Sequence, residues 1–428
     1  MSGDSSMRVA LLVYRGNPHS GGQGVYTRYL ARELVRQGHS VTVFAGQPWP
    51  VLDDGVDFVA VPSLDLYREP DPFRIPRPSE FKTPIDLAEF AVMCSAGFPE
   101  PLTFSLRVRK LLRQRRSDFD IVQDNQTFGR GLLGVMDDGL PLLGTCHHPV
   151  TVDRALDLEH AATLRKRIAL RRWYGFIGMQ KKVARRIPRI LTVSSSSKAD
   201  IVEQFGVAPE QLEIVPIGVD HTLFRPRPEI ARVPGRIMTT ASADVPFKGL
   251  LPLVEALAKL RTQTPHAHLV VVGKLGPESP VAAAIRRLGL RDAVRFESSI
   301  SDERMVELYA QAQVAVVPSL YEGFSLPAVE AQSCATALVA TTGGALPEVV
   351  GKDGGSGLLV PPGDPGALAA AIGRVLADPI LAGRLGANGR QRVLERFTWG
   401  ACARSTAEHY RWTIDHFAGL RSMVPAGA

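Results

Sequence analysis

Cysteine is scarce in this chain and widely spaced. Cys94, Cys146, Cys334 and Cys402 are scattered over 428 residues with no C-x-x-C pair, which excludes a zinc ribbon or a disulfide framework and suits a reducing compartment. Long apolar runs are missing too: none approaches the roughly 18–20 residues that span a bilayer. The start, Met1 to Met7, is polar and leads straight into a strand-like stretch whose apolar run, Val9–Val13, is too short for a secretory signal core. The expectation is a non-secreted, cytoplasmic chain. No G-x-G-x-x-G follows the first strand of either half, so a nicotinamide dehydrogenase is set aside.

Acid is absent from one long segment. Between His160 and Lys198 stand eleven basic residues (Arg165, Lys166, Arg167, Arg171, Arg172, Lys181, Lys182, Arg185, Arg186, Arg189 and Lys198) and no Asp or Glu. Taking these from the 50 Lys+Arg leaves 39 against 43 acids, so the net charge of +7 belongs to this segment alone. Arg165–Arg189 reads largely as a helix, with Leu170, Trp173, Tyr174 and Ile177 on one side. Such a helix lies on an anionic membrane surface, lines a groove for an anionic ligand, or is a solvated face balanced by acids elsewhere. Aromatic residues are too thinly interleaved to suggest nucleic acid.

What is present is a repeated alternation of short Val/Ile/Leu runs with longer helical patterns. The runs Arg8–Tyr14, Ser40–Ala45, Val56–Val61, Asp120–Gln123, Pro141–Cys146, Arg189–Ser194 and Glu213–Pro216 form one series. After a proline-rich stretch, Pro216 to Pro234, a second series follows: Arg236–Ser242, His268–Gly273, Ala293–Phe296, Val314–Pro318, Ala337–Thr341 and Gly357–Val360. Nearly all-apolar short runs bounded by Gly, Pro, Asp or Ser are those of parallel strands covered on both faces. Tyr26, Leu30 and Leu34 form a helical stripe that ends at Gly38. The expected class is α/β, two Rossmann-like domains facing across a cleft, with ligands at strand C-termini. Residues 62–101 break the pattern. They hold eight prolines where an even spread of 32 would put three, and read as a long loop that is either functional or an ordered excursion without chemistry.

The strongest chemical signal is Tyr321-Glu-Gly-Phe-Ser-Leu-Pro-Ala-Val-Glu330, directly after the strand Val314–Pro318. Glu322 sits in the loop at the strand's end, and Pro327 suits the first turn of the next helix. The amides of Phe324, Ser325 and Leu326, preceded by Gly323, would then form an anion site at a helix N-terminus. Glu330, one turn in, can accept hydrogen bonds from vicinal hydroxyls such as those of a ribose. Together these describe a nucleotide-sugar site.

This element resembles the E-x7-E hallmark of the retaining GT-B glycosyltransferases of family 4, and the likeness runs through the chain. Ser20-Gly-Gly-Gln-Gly24 with Gly38-His-Ser-Val-Thr-Val43 resembles the family's start. Val193-Ser-Ser-Ser-Ser197, Val215-Pro-Ile-Gly-Val-Asp220, Gly343-Gly-Ala-Leu-Pro-Glu348, Gly357-Leu-Leu-Val-Pro-Pro-Gly-Asp364 and Arg396-Phe-Thr-Trp399 with Tyr410 are similar to its later elements, in the same order. The resemblance implies an N-terminal acceptor domain (1–216), a nucleotide-sugar domain (217–396) and a closing helix (397–428) that packs back on the first. It assigns Lys248 to the donor diphosphate and to charge stabilisation, Glu322 to donor-sugar hydroxyls, and Glu330 to the ribose. His147, or its neighbour His148, lines the sugar pocket. Gly21 and Gly22 offer amides to the diphosphate.

The likeness has gaps. The arginine that the family places five residues before Lys248 is absent, with Ala243 in its position, which leaves Ser242, Lys274 or an arginine of the basic segment as substitutes. The family's "GtP" is replaced by Ala335-Thr-Ala337, which is expected to change only a turn. Asp118-Phe-Asp120 is formally the D-x-D of the other large glycosyltransferase fold, but it precedes a strand and reads as its beginning. Cys146-His147-His148 is rejected as a metal site because adjacent side chains on a strand end diverge.

The implied activity is a metal-independent, retaining hexosyltransferase without a cofactor. It would move a sugar from a nucleoside diphosphate sugar (GDP-mannose or UDP-glucose type) to a hydroxyl of a carbohydrate or lipid-linked acceptor in α-linkage, as in an actinobacterial α-mannosyl- and glucosyltransferase branch. Of the three readings open for the basic segment, one is peripheral contact of residues 165–189 with the inner face of a membrane. The rivals are a GT-B phosphorylase or sugar-nucleotide processing enzyme, and a GT-B-shaped binding protein without turnover. The excursion at 62–101 is expected to shape acceptor choice.

Overall fold

The structure, a computed structural model, describes residues 6–17, 22–159, 161, 163–241 and 245–423. The chain divides into two compact units, one of Met1–Val215 with Cys402–Ala428, the other of Pro216–Ala401.

The first unit is built on seven parallel strands: β1 (Arg8–Val13), β2 (Ser40–Ala45), β3 (Asp57–Ala60), β4 (Ile121–Asn125), β5 (Leu142–Thr145), β6 (Ile190–Thr192) and β7 (Leu212–Ile214). They lie in the order β3-β2-β1-β4-β5-β6-β7. The second unit has β8 (Arg236–Thr240), β9 (His268–Val272), β10 (Val294–Glu297), β11 (Val314–Val317), β12 (Leu338–Thr341) and β13 (Leu358–Val360), in the order β10-β9-β8-β11-β12-β13. Every run expected as a strand is one, shortened or shifted by a residue or two at its ends. Both sheets are Rossmann sheets, and their strand order reverses between β1 and β4 and between β8 and β11. Ligands of such sheets bind beside the strand C-termini at these reversals.

Burial explains why the strands read as unbroken apolar runs. In β1 every residue after Arg8 is buried, and Ala10 and Leu12 join a core with Phe44, Phe104, Val108 and Leu142. Each such Leu or Val contributes about 1.5–3 kcal/mol when removed from water. The helix Gln23–Arg36 buries Tyr26, Leu30 and Leu34 as its spacing requires. It closes as a Schellman turn, with Gly38 at φ 89°, the Gly38 amide on Val35 O and the His39 amide on Leu34 O.

Residues 62–101, expected as a loop, contain a helix at Pro84–Cys94 and lead into another at Glu100–Gln114. Thr83 caps the first reciprocally with Asp86, and Pro84 occupies its first turn. Arg107 on the second helix reaches both Asp86 (2.5 Å) and the buried Glu89, and so ties the two together. The basic stretch is likewise not one helix but two, Leu164–Trp173 and Ile177–Ala184, joined by a tight turn. Trp173 packs among Tyr67, Phe73 and Phe98, with ring centroids 5.0–6.1 Å apart. Part of the basic charge is structural. Arg189 pairs with Glu213 and stacks on Trp412, 3.5 Å from its ring centre, while Arg185 and Lys198 hold the carbonyls of Phe205 and Leu212. Arg165, Lys166, Arg167, Arg171 and Arg172 are exposed and have no ion-pair partner among the described residues.

The closing helix, Trp399–Met423, passes from the second unit into the first. Its buried Tyr410 donates a hydrogen bond to Gln123 Oε1 in β4, whose amide nitrogen donates to Thr145 Oγ1 (2.7 Å) in β5. Among the described residues no single helix is long and apolar enough to cross a membrane.

Candidate active site

In the second unit three loops converge beside the reversal of strand order. The loop after β8 ends in Pro246–Lys248 and Gly249, the loop after β11 carries Ser319 to Ser325, and the loop after β12 carries Gly343 and Gly344. Two glycines set their closeness. Gly249 has φ 70°, and a Cβ there would lie 1.9 Å from Pro318 O. Gly344 has φ 61°, and its Cβ would lie 2.3 Å from Glu322 O, the carbonyl that accepts the Ala345 amide at 2.8 Å. Leu320 N donates to Phe247 O at 2.7 Å, closing the first loop on the second.

Within this frame Lys248 Nζ lies 2.8 Å from Glu322 Oε1, and Ser319 Oγ donates to the same oxygen at 2.7 Å. Glu322 is buried, while Lys248 keeps about a third of its side chain in solvent. The helix Leu326–Ser333 starts as expected, with Pro327 in its first turn. Ser325 before it has φ 89°, unusual for a residue with a Cβ, and no side chain caps the helix. The Ser325 hydroxyl is buried without a hydrogen-bond partner among the described residues. Phe324 is buried against Phe397, ring centroids 5.7 Å apart, which fixes the Gly323–Ser325 turn.

Glu330 receives the Tyr309 hydroxyl at 3.2 Å. Burial raises its carboxyl pKa to about 7, with the Asp302 charge adding to the effect and the tyrosine hydrogen bond opposing it. Ser242 and Ala243 lie outside the described residues. Lys274, after β9, is exposed. The turn that replaces "GtP" puts Ala335 at φ 53°, with its carbonyl held by Arg232 (3.0 Å).

In the first unit Gly22 opens the helix Gln23–Arg36 with φ 70° and no side-chain cap; Gly21 lies outside the described residues. His147 follows β5. Its Nε2 lies 2.9 Å from Asn125 Oδ1 at the end of β4, and Tyr26 meets its ring edge-on at 4.6 Å. Asn125 spends its amide nitrogen on Thr27 Oγ1 (3.1 Å) and Gln23 O (3.3 Å). Its Oδ1 is therefore the acceptor, and His147 carries the proton on Nε2 and a lone pair on Nδ1. The imidazole keeps some contact with solvent, but desolvation, helped by His148, lowers its pKa to about 3. His148 itself is exposed. Asp120 is bound by Arg8 (2.6 Å) before β4, as its position at the strand's beginning implied.

Sequence reasoning did not find Ser319, Tyr309 or Asn125, which hold Glu322, Glu330 and His147. A polar residue ending an apolar strand was the available signal for Asn125. Tyr309 looks like any helical core aromatic.

Two Rossmann sheets, an E-x7-E loop and helix, and a lysine on the first of its glutamates define a GT-B glycosyltransferase. The chain belongs to glycosyltransferase family 4 and is a hexosyltransferase of that family. Residues 20–223 match the family model "Glycosyltransferase Family 4", and residues 227–392 match "Glycosyl transferases group 1". The chain is 54% identical over 413 residues to the MMP alpha-(1->4)-mannosyltransferase of Mycolicibacterium hassiacum, covering 96% of this chain and 100% of that one. It is 29% identical over 457 residues to a D-inositol 3-phosphate glycosyltransferase of Kineococcus radiotolerans, covering 98% and 99%. Among solved structures, the sucrose-phosphate synthase of Thermosynechococcus elongatus superposes with a TM-score of 0.69 at 25% identity, covering 96% and 99%. Anabaena HepE, solved with UDP-glucose, gives 0.64 at 18%, covering 95% and 100%.

Proposed function

We propose that the chain transfers mannose from a nucleoside diphosphate mannose to a hydroxyl of a carbohydrate acceptor, with retention and α-linkage. The observation that carries this is the 54% identity over 96% of the chain to an α-(1→4)-mannosyltransferase, in a chain whose Lys248 pairs with Glu322 and whose Glu330 is held by Tyr309. In this reading Glu330 accepts the ribose hydroxyls, and the uncapped helix start at Phe324–Leu326 faces the diphosphate. Lys248 leaves Glu322 to neutralise the departing phosphate, and Glu322 then accepts donor-sugar hydroxyls. In the first unit His147, neutral and with no partner on Nδ1 among the described residues, is left to accept a hydrogen bond from a substrate hydroxyl. Lysine and helix amides supply the positive charge, so no metal ion is required; the chain works in the cytoplasm.

The test is transfer from GDP-mannose, and from UDP-glucose for comparison, to an α-(1→4)-linked mannotetraose, with and without EDTA. A lengthened oligosaccharide whose new anomeric linkage is α by NMR is the expected product. Phosphate-dependent shortening without nucleotide would instead identify a phosphorylase, and no donor consumption at all a binding protein.

Membrane contact is a second, independent component of the reading. The helix Leu164–Trp173 has no buried residue, and Leu164 (73% exposed) and Ile168 (47%) stand one turn apart among its five cations. Co-sedimentation with anionic liposomes at low salt tests it, and failure to pellet removes it.

A further inference from the structure

A cavity of about 750 Å³ opens in the first unit, walled by the loops after β1 and β2 and by the start of the 62–101 excursion. Its volume is that of a small-molecule site. We propose that it is the acceptor site and that it takes a neutral, hydroxyl-rich sugar rather than a phosphorylated one; this rests on the transferase reading above.

The lining has the chemistry of a sugar. A pyranose presents an apolar C–H face and a rim of hydroxyls. Trp49, 39% exposed, packs against Phe58 (5.8 Å, rings at 74°) and gives the rest of its indole to the cavity. Opposite in character are Asn17, Gln47 and Asp65. Gln47 is fixed before any ligand arrives: its Oε1 accepts the Ser63 amide at 3.0 Å, and its Nε2 lies 3.4 Å from Asp65 Oδ2. The amide and carboxylate, so oriented, keep a second N–H and further carboxylate lone pairs that ligand hydroxyls can match and an apolar ligand cannot.

The charge balance separates neutral from phosphorylated acceptors. Arg15 reaches the cavity but is consumed by Glu100 through two hydrogen bonds of 2.6 and 2.9 Å, with its guanidinium 5.6 and 5.4 Å from the ring centres of Tyr67 and Phe98. The other cation of the lining, Arg68, is outnumbered there by Asp65 and Glu69. A phosphate would therefore meet two carboxylates and no surplus of positive charge, a like-charge juxtaposition that disfavours binding. This differs from what the name of the D-inositol 3-phosphate glycosyltransferase requires of that relative. The cavity also shares its frame with His147, since Gln23 lines it and the Gln23 carbonyl holds the Asn125 that orients the imidazole.

The experiment is titration calorimetry on the full chain, with and without GDP, using α-(1→4)-linked mannotetraose and D-inositol 3-phosphate as probes and no sugar donor. The oligosaccharide is expected to bind and inositol phosphate not. Trp49→Ala should weaken oligosaccharide binding about tenfold or more and Trp49→Phe much less, a difference of about 1.4 kcal/mol per tenfold. The stabilisation by GDP should be unchanged in both. Asp65→Asn with Glu69→Gln should admit inositol phosphate. Tighter binding of inositol phosphate to the unaltered chain overturns the neutral class. Oligosaccharide binding that is absent, or unchanged in both Trp49→Ala and Asp65→Ala, overturns the site. Intact oligosaccharide binding without transfer from GDP-mannose would sink the transferase reading alone.

Discussion

Lys248 and Glu322, separated by 74 residues in sequence, meet at 2.8 Å, with Ser319 on the same carboxylate oxygen. In the proposed reaction the lysine would meet the leaving diphosphate and the glutamate the sugar hydroxyls. Lys248→Ala and Glu322→Gln are each expected to lower kcat about 10²–10³-fold. The double variant should lose much less than the product of the two, because each single change leaves the partner unpaired. Steady-state kinetics on the four proteins would show it, and strict additivity would contradict shared work.

Glu330 gives a pH dependence of definite sign. Its pKa of about 7 in the folded protein, against about 4.5 for an ordinary glutamate, means the protonated form is favoured by folding. The stability this contributes is fully present below pH 4.5 and is lost as pH rises through 7. If Glu330 takes the ribose hydroxyls as proposed, GDP binding should do the reverse and tighten about tenfold from pH 6 to 8, with proton release. Calorimetry in two buffers of different ionisation enthalpy measures this. Glu330→Gln should bind more weakly and lose the slope.

His147 is expected to stay neutral throughout the working range, since its pKa lies near 3. Its ring resonances should not titrate between pH 5 and 8. His147→Ala should cost about 10–100-fold in kcat/KM without moving the pH profile. An inflection near 6.5 that vanishes in this variant would show the imidazole to be a general acid or base instead.

Gly249→Ala should destabilise the chain by about 3 kcal/mol or more, from a left-handed backbone and a Cβ driven into Pro318 O. Tyr410→Phe should cost about 1–3 kcal/mol by leaving the buried Gln123 Oε1 without a donor. Both are read by urea unfolding. The glycine variant should also lose activity, because Lys248 is the preceding residue.

The strands were legible because parallel strands buried on both faces leave no polar alternation to confuse their limits. Pro84–Cys94 was not, because its surrounding prolines suggested a loop; the cap written in Thr83 and Asp86 was the overlooked signal. Motif order pointed to Lys248, Glu322 and Glu330. The lysine–glutamate contact could not be read, since it depends on three loops brought together by Gly249 and Gly344. Tyr309 and Ser319 act through geometry that only the folded chain has.

The closing helix carries a consequence for how the protein is made. The first unit spans the opening 215 residues, yet the tyrosine that completes β4 belongs to Cys402–Ala428. During synthesis the whole second unit must be translated first, a delay of roughly 10–40 s at ordinary elongation rates. For that interval Gln123 lacks its donor. The half of the enzyme that emerges first is therefore finished last.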